Sequence, residues 1–258
     1  MSQISVPSLA APGGLEFLWE YLFHHPAHER NAALVNSEQL AFLGHCVEHI
    51  AHSHAQLLQD LFVLYRTKFR RNGYFVEFGA TDGVSLSNTC LLERRYGWTG
   101  ILAEPFPVWH DALAANRQVA IDHRCVWSSS GEKMAFIASL ERELAGLRAT
   151  ADEDMHSGRR TADAGEIEVT TVSLLDLLEQ HGAPRDFDYL SVDTEGSEFD
   201  ILSAFDFSRY RIRIISVEHN YMETKREAIR QLLAQHGYRR EFEAFSNWDD
   251  WYVHTGSF

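Results

Sequence analysis

The stretch Tyr74-Phe-Val-Glu-Phe-Gly-Ala-Thr-Asp-Gly83 decides the predicted fold of this chain of 258 residues. An apolar strand contains an acid, Glu77, near its end, and a turn marked by Gly79 follows at once. A second strand, Gly100-Ile-Leu-Ala-Glu104, also ends in an acid. A strand, a tight turn, a helix and a second strand with a terminal carboxylate are the parts that hold a nucleoside cofactor. The turn lets backbone N–H groups approach the ligand, and the second acid accepts hydrogen bonds from ribose hydroxyls.

Strands and helices alternate from residue 74 onward, which indicates right-handed crossovers and a mostly parallel sheet. The expected strands are 74–78, 99–103, 119–126, 187–192 and 212–218, and the expected helices are 85–96, 107–117, 173–181, 197–206 and 224–236. The segments 238–245 and 250–254 then predict a terminal antiparallel hairpin. The expected fold class is therefore α/β.

Two segments stand outside this alternation. Helices are expected at 15–25, 37–50 and 52–70, so residues 1–55 are predicted to form a helical extension or cap on a main domain of residues 56–258. The stretch 139–165 is a long polar insertion, and such insertions are either mobile lids or plain surface loops. Both interpretations of it remain open.

Composition and charge narrow the classes of partner. The formal net charge is −14, which disfavours nucleic acid because an acidic surface repels phosphate backbones. No apolar stretch approaches the length of a membrane span, and the N-terminus lacks the pattern of a secretory signal. Three cysteines without paired spacing, Cys46, Cys90 and Cys125, suggest reduced thiols. We therefore expect a cytoplasmic protein.

The glycine spacing in the first turn bears on the type of cofactor. Gly79-x-x-x-Gly83 is not Gly-x-Gly-x-x-Gly, so a turn that cradles a pyrophosphate is poorly supported. A cofactor without phosphates needs polar contacts to an amino-acid moiety instead, and Glu77 and Asp82 are placed to interact with an ammonium group. S-adenosylmethionine meets that description. The plain alternative is that Glu77 only pairs with a neighbouring lysine or arginine.

Several spaced motifs resemble those of the FkbM-type methyltransferases, which are class I enzymes that use S-adenosylmethionine. The motifs, from about Gln56 to Asn220, are Gln56-x-x-Gln59-Asp60, Glu77-Phe-Gly-Ala-Thr-Asp-Gly83, Leu86-Ser-Asn-Thr89, Leu92-Glu93, Gly97-Trp98-x-Gly100, Glu104-Pro105, Asn116-Arg117 and Ser191-Val-Asp-Thr-Glu-Gly-Ser-Glu198. The resemblance implies a Rossmann-like sheet of seven strands and O-methylation of a hydroxyl, often on a sugar or secondary metabolite. It also implies a set of residues at the cofactor: Gln59, Asp60, Glu77, Gly79, Ala80, Asp82, Gly83, Asn88, Glu104, Pro105 and Phe106.

A second group of polar residues follows the later strands. Asp193 and Glu195 lie at the end of one predicted strand, and Glu218 and His219 lie at the end of the next. Strand ends of this kind face the cleft of a doubly wound fold, so Asp193, Glu195 and His219 are the candidate catalytic residues. Asp193, Glu218 and His219 can hold a divalent cation such as Mg²⁺, or His219 can remove the hydroxyl proton directly. A structural role for Glu218 and His219 is the third reading.

Two other functions fit parts of the pattern. A nucleotide-dependent oxidoreductase would use a related sheet, but the missing third glycine argues against it. A non-catalytic binding protein could keep the fold, although retention of Glu77, Asp82, Glu104 and Asp193 argues against a degenerate site. The expected partner is a small-molecule or carbohydrate hydroxyl acceptor. The apolar N-terminal helices can also pair with a second copy of the chain.

Overall fold

The computed structural model describes residues 37–137, 146–147 and 165–257. The chain divides into two compact units, Met1–Glu48 and His49–Phe258. The candidate active site described below lies within the second. The expected helix at 15–25 lies outside the described residues, as does the insertion 139–165 apart from residues 146–147 and 165. The split at residue 55 and the pairing of copies stay predictions. None of the described helices has the length and apolar character that a bilayer crossing requires.

The described helices and strands are named here in chain order. The helices are α1 Ser37–His49, α2 Gln59–Arg66, α3 Cys90–Tyr96, α4 Pro107–Asn116, α5 Leu174–Gln180, α6 Glu198–Ser203, α7 Glu223–Gln235 and α8 Glu243–Ser246, with a 3₁₀ turn at Ile50–His52. The strands are β1 Tyr74–Phe78, β2 Thr99–Ala103, β3 Ala120–Asp122, β4 Cys125–Trp127, β5 Lys133–Ile137, β6 Gly146–Leu147, β7 Glu166–Ser173, β8 Asp186–Val192, β9 Arg211–Glu218, β10 Tyr238–Glu241 and β11 Asp249–His254.

Seven strands form one sheet in the order β10-β11-β9-β8-β1-β2-β3. The neighbours from β9 to β3 pair in parallel, whereas β11 pairs antiparallel with both β9 and β10. This confirms the mostly parallel seven-stranded sheet and its C-terminal antiparallel hairpin. The strand order turns back at β1, with β2 on one side and β8 on the other. In open α/β sheets, a crevice for ligands opens at the carboxyl ends of the strands at this point.

The central strands are buried on both faces. Only the first residue of β2 and of β8 is exposed, and the rest of each strand is buried. Val76 of β1, Ile101 of β2 and Leu190 of β8 belong to one apolar core with the helices of that face. Burial on both faces explains the near-continuous apolar runs in the sequence, because each side chain meets a helix layer instead of water.

A second sheet, absent from the sequence prediction, has four strands in the order β4-β7-β5-β6. The single strand expected at 119–126 is in fact two strands, β3 in the large sheet and β4 in the small one. Asp122 causes the break, because its carboxylate accepts hydrogen bonds from the backbone N–H and side chain of Arg124 and turns the chain there. Leu147 of the polar insertion joins β5 in this sheet.

The long helix expected at 52–70 is also shorter than predicted. Helix α2 begins at Gln59, because Leu58 adopts a left-handed conformation with φ of 64°. The Asp60 carboxylate accepts hydrogen bonds from the Ser53 hydroxyl at 2.6 Å and the His54 backbone N–H at 3.0 Å. Those bonds hold the preceding segment against the start of the helix. The helical spacing of apolar residues extends into this segment, so the sequence did not reveal the bend at Leu58.

The terminal hairpin closes the sheet as expected, with α8 inserted between its strands. Trp251 of β11 is fully buried and stacks on Phe62 of α2, with ring centroids 4.7 Å apart. This contact fixes α2 beside the carboxyl end of β9. Gln59 at the start of α2 accordingly donates a hydrogen bond of 2.8 Å to the Asp249 carboxylate at the start of β11.

Candidate active site

A cleft of about 410 Å³ lies at the carboxyl ends of β1, β2, β8 and β9. Its walls include Glu77 of β1, Glu104 after β2, and Asp193 and Glu218 at the ends of β8 and β9. Several residues with left-handed backbone also line it: Thr81, Leu86, Glu195, Asn220 and Tyr221. Such conformations are unfavourable for residues other than glycine, and they concentrate at functional sites.

Glu77 braces the turn after β1. Its carboxylate accepts hydrogen bonds from the Asn88 backbone N–H at 2.6 Å and from the hydroxyls of Ser87 and Thr89. Arg117 lies 3.7 Å away. Burial raises the pKa of Glu77, and Arg117 opposes that shift. The contacts of Glu77 within the described chain therefore shape the loop. Direct contact with a cofactor ammonium group stays a prediction.

Gly79 is required by a close approach between β1 and β8. Its φ is +69°, and a Cβ atom there would lie 2.4 Å from the Asp193 backbone oxygen. Any side chain would push the turn after β1 away from the end of β8. Gly79 thereby keeps the predicted cofactor turn next to the carboxylates of the neighbouring strand.

Glu104 is held by backbone groups on both of its carboxylate oxygens. Thr81 and Phe106 each donate a backbone N–H to one oxygen at 2.8 Å. Burial raises the pKa of Glu104 to about 7, against those two bonds, and the charge of Asp193 raises it further. A carboxylate offers about four acceptor positions. The remaining positions are suited to a pair of ribose hydroxyls.

An apolar pocket adjoins Glu104. Phe106 and Phe136 approach with ring centroids 5.9 Å apart, and Trp109, Cys125 and Leu147 also line this end of the cleft. Burial raises the pKa of Cys125 to about 12, so its thiol is protonated and acts as a small apolar group. Strands β4, β5 and β6 of the second sheet supply most of this wall. Its apolar character suits a purine ring.

Asn88 presents a buried acceptor to the cleft. Its side-chain N–H donates to the Ser191 hydroxyl at 2.9 Å, while its Oδ1 atom has no hydrogen-bond partner among the described residues. Asn88 is 6% exposed and lines the cleft. A buried carbonyl oxygen without a donor is costly, so this atom is suited to a donor on a ligand.

Seven of the eleven predicted cofactor residues line the cleft: Gln59, Glu77, Gly79, Asn88, Glu104, Pro105 and Phe106. The other four, Asp60, Ala80, Asp82 and Gly83, are not among its lining residues. Asp82 accepts hydrogen bonds from the backbone N–H groups of Val84 and Ser85 and so shapes the turn. Contact of any of these residues with a cofactor stays a prediction.

Three carboxylates meet on the other side of β1. Asp193, Glu195 and Glu218 each offer an oxygen atom, and these atoms lie within 4.8 Å of one another. Glu195 adopts φ of 58°, and the Oε2 atom of Glu218 is buried without a hydrogen-bond partner among the described residues. This group, called the acid cluster below, contains Glu195 where the sequence predicted His219.

The carboxylates of the acid cluster repel one another when they are ionised. Burial raises the pKa of Asp193 to about 7, and the charge of Glu198 raises it further. Burial also raises the pKa of Glu218 well above its ordinary value, followed by the charges of Asp193 and Glu195. Behind the cluster, burial and the charge of Asp193 raise the pKa of Asp249 to about 8. A bound cation or a shared proton would relieve this repulsion.

His219 lies beside the acid cluster but is not among the residues that line the cleft. Its Nδ1 atom accepts a hydrogen bond of 3.1 Å from the Tyr221 backbone N–H. Its Nε2 atom is buried 3.9 Å from the Asp250 carboxylate. The structure thus brings Asp193, Glu195 and Glu218 together and directs the imidazole elsewhere. A role for His219 as base or metal ligand stays a prediction.

Sequence reasoning missed several residues of the cleft: Trp109, Cys125, Phe136, Leu147, Asn220, Tyr221 and Trp248. Asn220 could have been predicted from the sequence, because it directly follows Glu218 and His219 at a predicted strand end. Phe136 and Leu147 were not, since they come from a sheet that the periodicity did not reveal. Trp248 is held at the cleft by its carbonyl, which accepts hydrogen bonds from the backbone N–H groups of His219 and Asn220.

The match to a family model assigns the chain to the methyltransferases. The family model described as the methyltransferase FkbM domain matches residues 77–240, which is more than half of the chain. The chain belongs to this family. No curated protein matches the sequence.

Two solved structures match the chain at low similarity. One is a precorrin-6y C5,15-methyltransferase from Geobacter metallireducens GS-15, at 11% identity and a TM-score of 0.41, with 75% of this chain and 85% of that chain covered. The other is a putative sarcosine dimethylglycine methyltransferase from Galdieria sulphuraria, at 10% identity and a TM-score of 0.34, with 72% and 63% covered.

Proposed function

We propose that this protein transfers a methyl group from S-adenosylmethionine to a hydroxyl of a sugar or secondary metabolite, assisted by a divalent cation such as Mg²⁺. The observation that supports this most is the acid cluster of Asp193, Glu195 and Glu218, which opens into the same cleft as Glu104. One side of the cleft suits a nucleoside and the other suits a cation. An acceptor hydroxyl can reach the space between them.

The cofactor side is suited to each part of S-adenosylmethionine. Glu104 would accept hydrogen bonds from the ribose hydroxyls, the pocket of Phe106 and Phe136 would hold the adenine ring, and Asn88 Oδ1 would accept from the ammonium group. When bound, this cofactor supplies an electrophilic methyl group on a sulfonium. The contribution of the chain is to hold the two reactants in line, and positioning alone can account for much of a rate enhancement.

The residues of the acid cluster fit a divalent cation. Three carboxylates from neighbouring strand ends form an oxygen-rich donor set of the kind that Mg²⁺ prefers, and one of their buried oxygens has no hydrogen-bond partner in the part of the chain that the structure describes. Asp193, Glu195 and Glu218 would hold the ion, with the Asn220 carboxamide in the same wall. When bound, the ion supplies Lewis acidity that lowers the pKa of a nearby hydroxyl. Without it, Asp193 is the group placed to accept the hydroxyl proton.

The charge of the cleft argues for an acceptor without anionic groups. Five carboxylates line it, those of Glu77, Glu104, Asp193, Glu195 and Glu218. Where these groups are ionised, a divalent cation and the cofactor would offset only part of their negative charge. Phosphate or carboxylate groups near the reacting hydroxyl would be repelled. We therefore favour an uncharged or amine-bearing hydroxyl compound.

The test combines cofactor binding with turnover. We expect calorimetry to detect S-adenosylhomocysteine binding, and mass spectrometry of a panel of hydroxyl compounds to detect a methylated product. A chelator should slow transfer at least about tenfold, and added Mg²⁺ should restore the rate. Absence of cofactor binding would sink the whole proposal. Transfer that is insensitive to a chelator would remove only the cation.

A further inference from the structure

The contacts of the buried His219 imidazole support a role other than proton transfer. We propose that His219 is a positioning residue, which holds Asn220 and Tyr221 as the acceptor-side wall of the cleft without taking a proton from the substrate. The proposal depends on the methyl transfer proposed above only for its kinetic readout. A second readout reports on the wall itself.

The wall begins where β9 ends. Asn220 and Tyr221 have φ values of 47° and 57°, so two successive residues other than glycine adopt the left-handed conformation. Such residues cost free energy and persist only where the surroundings hold them in place. Both line the cleft, and Tyr221 is 54% exposed. These two residues therefore need a specific restraint.

His219 supplies that restraint from the side away from the cleft. Its Nδ1 atom accepts the Tyr221 backbone N–H at 3.1 Å, and its own carbonyl accepts the Met222 backbone N–H at 2.7 Å. The backbone N–H groups of His219 and Asn220 both donate to the Trp248 carbonyl, at 2.9 Å and 3.2 Å. The turn is thus tied to Trp248, another cleft residue, and closed by the imidazole.

The second ring nitrogen faces a buried carboxylate, beyond hydrogen-bond distance. Because Nδ1 accepts a hydrogen bond, the proton of the neutral ring resides on Nε2, which faces Asp250 at 3.9 Å. Arg226 fixes the Asp250 carboxylate with bonds of 2.8 Å and 2.9 Å, and Arg240 adds a third of 3.2 Å. Asp250 is 1% exposed, so its carboxylate is buried between the two partly exposed arginines. Neither ring nitrogen is presented to the cleft.

Two substitutions separate positioning from proton transfer. His219→Asn places a side-chain oxygen close to the Nδ1 position, where it can accept the N–H two residues ahead, as Asn does in turns. It cannot act as a general base at neutral pH. His219→Ala removes both the acceptor and the base. His236→Ala, which removes an exposed imidazole of the same domain, is the matched control.

The first readout is amide hydrogen exchange at Tyr221. Loss of one hydrogen bond should speed exchange about tenfold in His219→Ala, whereas His219→Asn and His236→Ala should stay near the wild-type rate. Unchanged protection in all variants would overturn the proposal. Exchange in β1 and binding of S-adenosylhomocysteine report whether the variants remain folded.

The second readout is the kinetic effect on whichever acceptor is methylated. His219→Ala should raise the KM for the acceptor by about tenfold with a smaller change in kcat, and His219→Asn should recover most of that loss. Equal losses of about a hundredfold or more in kcat for Ala and Asn would identify His219 as the base and overturn the proposal. If no acceptor is found, the proposed function fails, while the exchange result still decides the positioning role.

Discussion

On the β2 side of the cleft, Glu104 receives a backbone N–H on each carboxylate oxygen, whereas on the β8 and β9 side three carboxylates face one another. Glu104 on the first side is thus held within the chain and keeps spare acceptor positions. On the second side the three carboxylates repel one another, Glu195 has a left-handed backbone, and one oxygen of Glu218 has no hydrogen-bond partner within the described ranges. The nucleoside side is thus preformed, while the acceptor side stores unfavourable charge that a ligand can relieve.

The largest expected effect comes from the acceptor side. Asp193→Asn should lower kcat by about a hundredfold or more, because it removes a charge that either holds a cation or accepts a proton. Affinity for S-adenosylhomocysteine should change far less. Steady-state kinetics and calorimetry measure the two effects. Asp200→Asn on α6, outside the cleft lining, is the control. A proportional loss of affinity would show that the two sides are not separate.

The opposite pattern is expected on the nucleoside side. Glu104→Gln keeps the shape of the side chain but replaces one oxygen with a donor that opposes the N–H of Thr81 or Phe106. Affinity for the cofactor should fall by about 10- to 100-fold, as for hydrogen bonds to a charged group. At saturating S-adenosylmethionine, kcat should stay close to that of the wild type. A loss confined to kcat would contradict the assignment of Glu104 to the ribose.

The charge of the acceptor offers a test that needs no variant. Phosphorylation of an accepted sugar or metabolite close to its reacting hydroxyl should lower kcat/KM at least about tenfold, through repulsion by the carboxylates of the cleft. The amine-bearing analogue should be used at least as well as the neutral one. Mass spectrometry of matched analogues at constant ionic strength measures this. A preference for the phosphorylated form would count against the proposed acceptor class.

The smallest expected effect is on stability. Burial raises the pKa of Glu104 to about 7 and of Asp249 to about 8, above the ordinary values near 4. At pH values between the ordinary and the raised pKa, the folded protein therefore binds more protons than the unfolded chain. The free energy of unfolding accordingly falls as pH rises through that range. Without ligands, the Tm should be several degrees higher near pH 6 than near pH 8.5, since about 1 kcal/mol moves it by roughly 2–4 °C.

Asp249→Asn provides the check on this pH effect, since it keeps an acceptor for Gln59 but removes the titration. Its Tm should depend less steeply on pH than that of the wild type, as thermal unfolding monitored by circular dichroism would show. A wild-type Tm that rises with pH across this window would mean that these acids are stabilised in their charged form.

The residues that were predictable are those whose role follows from chain position. Strands 74–78 and 99–103 have the bounds that the sequence indicated, and Asp193 and Glu218 lie at strand ends that meet at one sheet edge. Asp60 and Asp82 also carry the family motifs, but the structure shows them binding the backbone of their own loops. A motif identifies which residues belong to a site, but not which of them face its interior.

By itself, the sequence determined the alternating α/β order, the family and the acids at the strand ends. These features depend on local periodicity and on residue types, which neighbouring residues along the chain already define. Only the tertiary structure decided that Phe136 and Leu147 line the cleft and that His219 faces Asp250. Those outcomes depend on contacts between residues far apart in the chain, where the direction of a side chain is set by packing and buried charge.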